Sequence, residues 1–568
     1  MGVYVATAWG VETPAYALDE IVMVGNSRVL AQVDPTWQLV GAGFMPGLAV
    51  FMAPVWWLTH DPQVIYEVGI WLTVLFALVT IWPLSRVVRW FGATTSTSVT
   101  IAAVVMMAPS RTLLSNWLFS ESLLLLWLTV LILATKRLST RWDIRAALLF
   151  GVLVGAVVLS HGRGVAIALA AGVWCLTQLR RGRLKIPVIA ASVAVVASVS
   201  AYGIYLYCTR SLFGADRRAA LVADSASHFA IDTVSGLVAG QLWYVTLAWP
   251  LVGIVGAMVV IRRTRCDPAM IFVALAAFVL FMLSVNQMIG PGDGYNRIDT
   301  WFYGRYTDPI WTIFAAVGIA VVLRVRSVVL TSIAVGTTVL IGTAMWFLTV
   351  PHIPSNQFWE VVHIAGVAPW LSLANYADSG AQNWLWLSYE PAVVALLLGV
   401  LAWIGYWLLP TLAVLWVGLT YAGDTRGIGI VQGPREAGDG EPVGMQFPDQ
   451  VAIGADPRLG QRINSLAMAY GDRPIMIIDS DEALGEVDVI YTRAQDPAPA
   501  EDGAMVLTEA DAGLQVMWVY PGPLQDQLQA EGRLSAEAEW AGIGELPDAP
   551  VDSSTMTSDS SADLATRP

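Results

Sequence analysis

The chain has 568 residues, of which 56% are apolar and 13% charged, and its mean hydropathy is +0.61. Soluble proteins keep about a quarter of their residues charged, so the composition excludes an ordinary globular enzyme and makes lipid the solvent for most of the chain. The charge is unevenly divided: residues 422–568 carry 8 Arg, no Lys and 26 acidic residues, whereas 1–421 carry 23 basic and 18 acidic residues. A membrane part is therefore joined to an acidic soluble tail, and neither half has the basic surface that a nucleic-acid partner needs. Cys175, Cys208 and Cys266 have no paired spacing, which argues against a disulfide framework or a zinc cluster.

In chain order, the first outer loop (1–65) contains Asp19-Glu20 and a helical run carrying Arg28. The adjacent carboxylates point to different sides of a helix start. One can then face a cavity, although Asp19 also reads as a simple N-cap with Glu20 in the first turn. Phe44 to Thr59 is apolar, short and broken by Pro46 and Pro54, as suits a helix lying in the interface. About twelve spans follow, near 66–88, 97–115, 119–135, 146–161, 163–180, 187–208, 236–260, 269–288, 308–324, 328–349, 391–406 and 407–421. Every second junction is basic, and together these junctions hold 15 of the 23 basic residues of the membrane part: Arg86 and Arg89; Lys136, Arg137, Arg141 and Arg145; Arg180, Arg181, Arg183 and Lys185; Arg262, Arg263 and Arg265; Arg324 and Arg326. The positive-inside bias makes that side cytoplasmic. The long junctions (1–65, 209–235, 289–307 and 350–390) then lie outside, where Trp37, Trp56, Trp57, Trp301, Trp359, Trp370, Trp384 and Trp386 read as interface anchors.

Three further segments carry candidate chemistry. Glu121 opens a Leu-rich helix at the outer mouth of a span, with Arg111 nearby as a possible partner; it also suits the helix dipole. Ser160-His161-Gly162-Arg163-Gly164 is a polar break between two apolar runs, so the backbone there must be satisfied by protein or by a cavity, and Arg163 is available to an anion. A glycine-rich loop from Gly290 to Tyr295 leads through Arg297 to Tyr303-Gly304-Arg305-Tyr306 at the start of the next span. A planar guanidinium suits phosphate oxygens, though Arg305 can equally anchor at the interface. The terminal run from Ala392 to Tyr421 reads as a tight hairpin about Gly405 and Pro410, which places the tail outside. The tail divides into a linker (422–445), a small α/β domain (446–540) and a disordered acidic end (541–568), with strands at 474–478, 487–491 and 514–520 around a helix near 457–470.

This order of parts, over residues 14–350, resembles the GT-C superfamily of polytopic glycosyltransferases that use polyprenyl-phosphate-linked sugars. The superfamily includes protein O-mannosyltransferases, aminoarabinose transferases and actinobacterial arabinosyl- and mannosyltransferases. The resemblance rests on Asp19-Glu20, Phe44-Met45-Pro46-Gly47 through Pro54, Arg86 to Gly92, Ser120-Glu121, the Ser160–Gly164 break and Gly304-Arg305-Tyr306. It implies a GT-C-like fold of about twelve transmembrane helices with a small C-terminal α/β soluble domain. It also implies a plasma-membrane location with the active site outside, and inverting transfer to an envelope glycan, lipid or protein. The family's catalytic acid falls on Asp19, with Glu20 in reserve, and its phosphate-holding Arg falls on Arg305, with Arg163 and Arg297 as further candidates. Arg28, Glu121, His161, Tyr303 and Tyr306 are other cavity residues. Some members use a divalent metal, for which no ligand spacing is present here. Only 18 residues, interrupted by Glu12 and Pro14, precede Asp19 where relatives have a span, so the start reads as truncated or misassigned, and the break at 160–163 departs from the Arg-Pro pair common in relatives. With 29 Arg to 2 Lys, an actinobacterial envelope fits. A transporter or flippase of lipid-linked sugars, or an envelope scaffold, is the alternative; ionisable residues clustered at span ends rather than at mid-membrane favour the enzyme.

Overall fold

A computed structural model describes residues 1–15, 19–33, 39–40, 43–179, 184–213, 230–294, 297–354, 359–374, 383–405, 407–426, 447, 450–459, 462–471, 473, 475–478, 486–493, 503–507 and 515–535. Trp37, Tyr295, the basic triplet Arg180, Arg181 and Arg183, most of the expected linker and the expected disordered end lie outside the described residues. The chain forms two units, Met1–Asp34 with Ala42–Ala437, and Pro35–Gly41 with Gly438–Pro568.

The first unit is helical, and each of the twelve apolar runs forms helix, in three ways. Seven helices are long and apolar enough to cross a membrane: Pro62–Arg89, Glu121–Arg141, Lys185–Cys208, Pro268–Ile289, Asp308–Val325, Val328–His352 and Trp384–Ile404. Two runs are helix pairs, Thr95–Val105 with Pro109–Asn116, bent by 72°, and Ile231–Ala248 with Val252–Arg263, bent by 111°. Among the described residues this gives seven to nine spans by length and composition, fewer than the expected twelve. The remaining three runs, Ile144–Ser160, Gly164–Leu179 and Leu408–Ala422, are shorter helices. Proline explains both bends: Pro109 and Pro250 have no N–H to continue the ladder, and Leu251 after the second takes a left-handed φ of 62°. Side-chain caps fix other starts, as Asp61, Asp143 and Ser327 accept from the backbone N–H of Gln63, Ala146 and Leu330. The Pro268–Gly294 helix runs on through Gly290, where a loop is expected from the glycines. There Pro291 removes only one backbone bond, in the last turn of an otherwise apolar helix.

The helices are ordered by burial. Asp308–Val325 is 78% buried and central, whereas Lys185–Cys208 is 17% buried and presents its apolar surface outward, as a lipid-facing helix does. Among the described residues, four of the five basic junctions meet at one end of the unit. Lys136 pairs with Asp267 at 2.7 Å, Arg263 donates to the Trp90 carbonyl at 3.0 Å and Arg324 donates to the Phe91 carbonyl at 3.2 Å. The Arg326 guanidinium lies beside Gly405. At the other end Thr112 and Thr420 share a hydroxyl bond of 2.7 Å, so the Leu408–Arg426 helix returns from the basic end to the opposite one, as in the hairpin reading. Trp56 and Trp301 are fully buried rather than interfacial, while Trp57 and Trp386 are exposed.

The second unit holds a six-stranded mixed sheet: β1 (Ile453–Ala455), β2 (Ile475–Ile477), β3 (Val489–Arg493), β4 (Met505–Leu507), β5 (Gln515–Val519) and β6 (Leu534–Ser535), in the order β2-β1-β3-β5-β4-β6. β1 is parallel to both neighbours, and the remaining pairs are antiparallel. Alternation along β3 and β5 sends Ile490 and Trp518 into a core with Ile478, Val487, Val506 and Tyr520.

Candidate functional site

Asp19 and Glu20 precede the Ile21–Ala31 helix, and the second occupies its N-cap position without capping through its side chain. Glu20 is fully buried. Its Oε1 accepts from the Tyr66 hydroxyl at 2.7 Å and from the Leu118 N–H at 2.8 Å, and its Oε2 accepts from the Ala15 N–H at 2.7 Å. With both oxygens engaged, Glu20 fastens the first loop to the Pro62–Arg89 helix and to the segment before Glu121. The Asp19 side chain is 26% exposed, and its Oδ2 stands 3.4 Å from Arg305 Nη1. The two carboxylates thus diverge as expected of adjacent positions, but Asp19 turns to a cation rather than to a helix cap.

Arg305 sits in the turn between Trp301 and the Asp308–Val325 helix, 8% exposed. Its Nε donates to Glu121 Oε1 at 2.5 Å and its guanidinium lies 4.0 Å from the Phe119 ring centre. Burial disfavours its charge, yet the neighbouring Glu121, with Tyr303 and Asp19, holds the guanidinium protonated well above its ordinary range. Glu121 Oε1 also accepts from Arg163 Nη2 at 2.6 Å, and Arg163 Nη1 donates to the Arg305 carbonyl at 2.6 Å. Glu121 Oε2 is buried with no hydrogen-bond partner among the described residues. The partner of Glu121 is therefore this arginine pair, while Arg111 lies 3.5 Å from Asp308. His161 completes the layer, its Nδ1 accepting from Arg163 Nε at 3.3 Å, and Arg163 also stacks over Tyr306, 4.8 Å from its centre. Gly164 is required at the break, since a Cβ there would come 2.2 Å from the Val157 carbonyl oxygen.

The structure thus gathers Asp19, Glu121, His161, Arg163, Arg305 and Tyr306. Arg28 packs over the Trp56 ring, 5.2 Å from its centre. Arg297 belongs to an adjoining cluster absent from the sequence reading. It donates to both Asp299 oxygens at 3.1 and 2.5 Å and to Glu360 at 2.6 Å, and His363 Nδ1 is 2.7 Å from Asp299 Oδ2. Tyr303 packs against His363, ring centres 4.8 Å apart. No local spacing announces Asp299 with His363, because the partners come from two junctions more than sixty residues apart in the chain. Among the described residues no group of three or more His, Cys, Asp or Glu side chains is arranged to hold a metal ion.

A partly exposed carboxylate beside a guanidinium fixed from behind offers a proton acceptor and an anion site within one molecule's reach. The 3.4 Å separation exceeds the 2.7–2.9 Å typical of a charge-assisted hydrogen bond, so the pair is loosely joined, whereas Arg305 and Arg163 are tightly held through Glu121.

Neither a protein-family model nor a curated protein matches the chain. Among solved structures, that of ArnT from Cupriavidus metallidurans bound to undecaprenyl phosphate matches with a TM-score of 0.54 at 14% identity, over 92% of this chain and 97% of that one. The apo state of the same protein matches with a TM-score of 0.46 at 13% identity, over 92% and 99%. The chain shares the overall fold of that ArnT structure.

Proposed function

We propose that the protein is an integral-membrane glycosyltransferase. It moves a sugar from a polyprenyl-phosphate carrier to a glycan, lipid or protein acceptor of the cell envelope, on the extracytoplasmic side and with inversion. The observation that carries this reading is the 3.4 Å approach of Asp19 to Arg305, a guanidinium anchored by Glu121. The shared fold with ArnT, whose structure contains undecaprenyl phosphate, supports the choice of donor. The orientation rests on the basic junctions that meet at the opposite end.

In this mechanism Asp19 accepts the proton of the acceptor hydroxyl as its oxygen bonds to the anomeric carbon. The bond from that carbon to the phosphate oxygen breaks on the far side, and the electron pair leaves with the polyprenyl phosphate. Arg305 stands where the leaving phosphate gains charge, already oriented, so no reorganisation is required as the bond breaks. Arg163 holds the Arg305 carbonyl and Glu121, and Arg297 braces the same turn; their reach to phosphate is second to that of Arg305. Glu20 keeps the loop in place, which leaves Asp19 as the base.

The test uses a strain lacking the gene and a radiolabelled polyprenyl-phosphate sugar pool. Asp19→Asn and Arg305→Ala are expected to abolish transfer while the protein accumulates normally, whereas Glu20→Gln is expected to act by lowering the amount of folded protein. Full transfer by Asp19→Asn would remove the proposed base.

A further inference from the structure

Besides Arg163, which holds the Arg305 carbonyl, the turn that presents Arg305 is held by one segment of a distant junction. The backbone N–H groups of Gly304 and Arg305 both donate to the His363 carbonyl, at 3.0 and 3.1 Å. The His363 ring is fixed in turn, with Nδ1 2.7 Å from Asp299 Oδ2 and Nε2 3.7 Å from Glu360 Oε2. Arg297 bridges Asp299 to Glu360. Behind the turn, the Tyr244 hydroxyl donates to Asp308 at 2.8 Å and accepts from the Gly366 N–H at 3.1 Å. The stretch from Glu360 to Gly366 is thus fastened at both ends of the Asp299–Asp308 turn. Arg305 lies between the two fastenings, its own backbone bonded to the middle of the stretch.

We propose that Asp299 and His363 are positioning residues for the donor phosphate: their side-chain contact holds the 360–366 stretch beneath the turn, and the His363 carbonyl, through two backbone bonds, sets where the Arg305 guanidinium stands. Asp299 is fully buried, so its carboxylate acts only through His363 and Arg297 and touches no substrate. The inference rests on the reading of Arg305 as the phosphate-holding group. It adds that donor affinity depends on residues outside the charged layer of Asp19, Glu121 and Arg163. A shift of about 1 Å in a group that positions a reacting partner costs up to about a hundredfold in rate, and a loosened turn also weakens the charge-assisted contacts that Arg305 offers to phosphate.

The experiment measures the affinity of the purified full-length chain for undecaprenyl phosphate in detergent, for the wild type, Asp299→Asn, His363→Gln, Glu360→Gln and Arg305→Ala, and for the last combined with each clasp variant. Asp299→Asn and His363→Gln are expected to weaken binding roughly tenfold. Glu360→Gln, at the half-buried rim, is expected to weaken it less and to stay folded should Asp299→Asn fail to. In the Arg305→Ala background the clasp variants are expected to add nothing, because they act through that residue; a merely structural role would add its cost in both backgrounds. Donor KM is expected to rise and kcat to fall together, because Arg305 both holds the phosphate and meets its developing charge, whereas Asp19→Asn lowers kcat alone. If Arg305→Ala weakens binding and the folded clasp variants do not, the positioning role is wrong and the reading of the site survives. If Arg305→Ala itself leaves binding unchanged, that reading is wrong.

Discussion

Glu121 shows how much one residue decides. A single carboxylate oxygen accepts from two guanidiniums in a fully buried place, an arrangement whose desolvation cost is offset only when every charge has a partner. Its sequence neighbours suggest a helix-dipole role or an ion pair with Arg111, and the second suggestion fails because Arg111 is taken by Asp308. Asp299 is the parallel case in the adjoining cluster. Burial pushes its carboxyl up, but the hydrogen bonds and charges of His363 and Arg297 reverse this and hold it below the usual carboxylate range. A lowered folded-state value means the stabilisation is fully present above the unfolded value of about 3.9 and fades as pH falls through the folded one. Asp299→Asn is therefore expected to cost about 2 kcal/mol near neutral pH. The gap from the wild type should narrow once pH drops below about 4, as read by unfolding in detergent; a gap independent of pH would argue against the Asp299–Arg297 ion pair.

At the scale of elements, positions along the chain were legible where hydropathy alone decides and obscure where partners do. Every apolar run became helix because the backbone in lipid has little alternative. Hydropathy does not report that the 97–115 and 236–260 runs bend, nor that the helices at 144–160 and 164–179 are shorter than the seven long spans. Those outcomes depend on proline placement and on neighbours. The site divides the same way. Asp19 and Arg305 stand out in their own segments, whereas Glu20's anchoring role and the Asp299–His363 clasp depend on contacts between segments far apart in the chain. The turn itself makes one demand that the sequence displays without explaining. A Cβ on Gly304 would fall 1.8 Å from the Tyr244 ring, so Gly304→Ala must displace either the turn or that ring. A loss of about 1–3 kcal/mol is expected from such overpacking, together with weaker binding of undecaprenyl phosphate. Unchanged binding in a folded Gly304→Ala protein would show that the turn's exact seat is irrelevant.

The whole membrane unit is polarised. The charged layer around Glu121 and the Lys136–Asp267 contact lie toward opposite ends of one helix, about 22 Å apart along its axis for fifteen residues. In the proposed reading, the chemistry faces one side of a bilayer and the basic junctions the other. Cys266 offers a native probe, since it is exposed beside Arg263 and Asp267 at the basic end, whereas Cys175 and Cys208 are buried. In intact cells it is expected to react with a membrane-permeant maleimide and to resist an impermeant one. Reaction with the impermeant reagent would invert the proposed orientation. The most direct test of the central claim pairs two readings on one purified preparation, undecaprenyl phosphate affinity and sugar transfer, for Asp19→Asn and Arg305→Ala. The account predicts that Asp19→Asn binds the lipid phosphate as the wild type does while transfer falls by at least about a hundredfold, and that Arg305→Ala loses binding; wild-type transfer by either variant would contradict it.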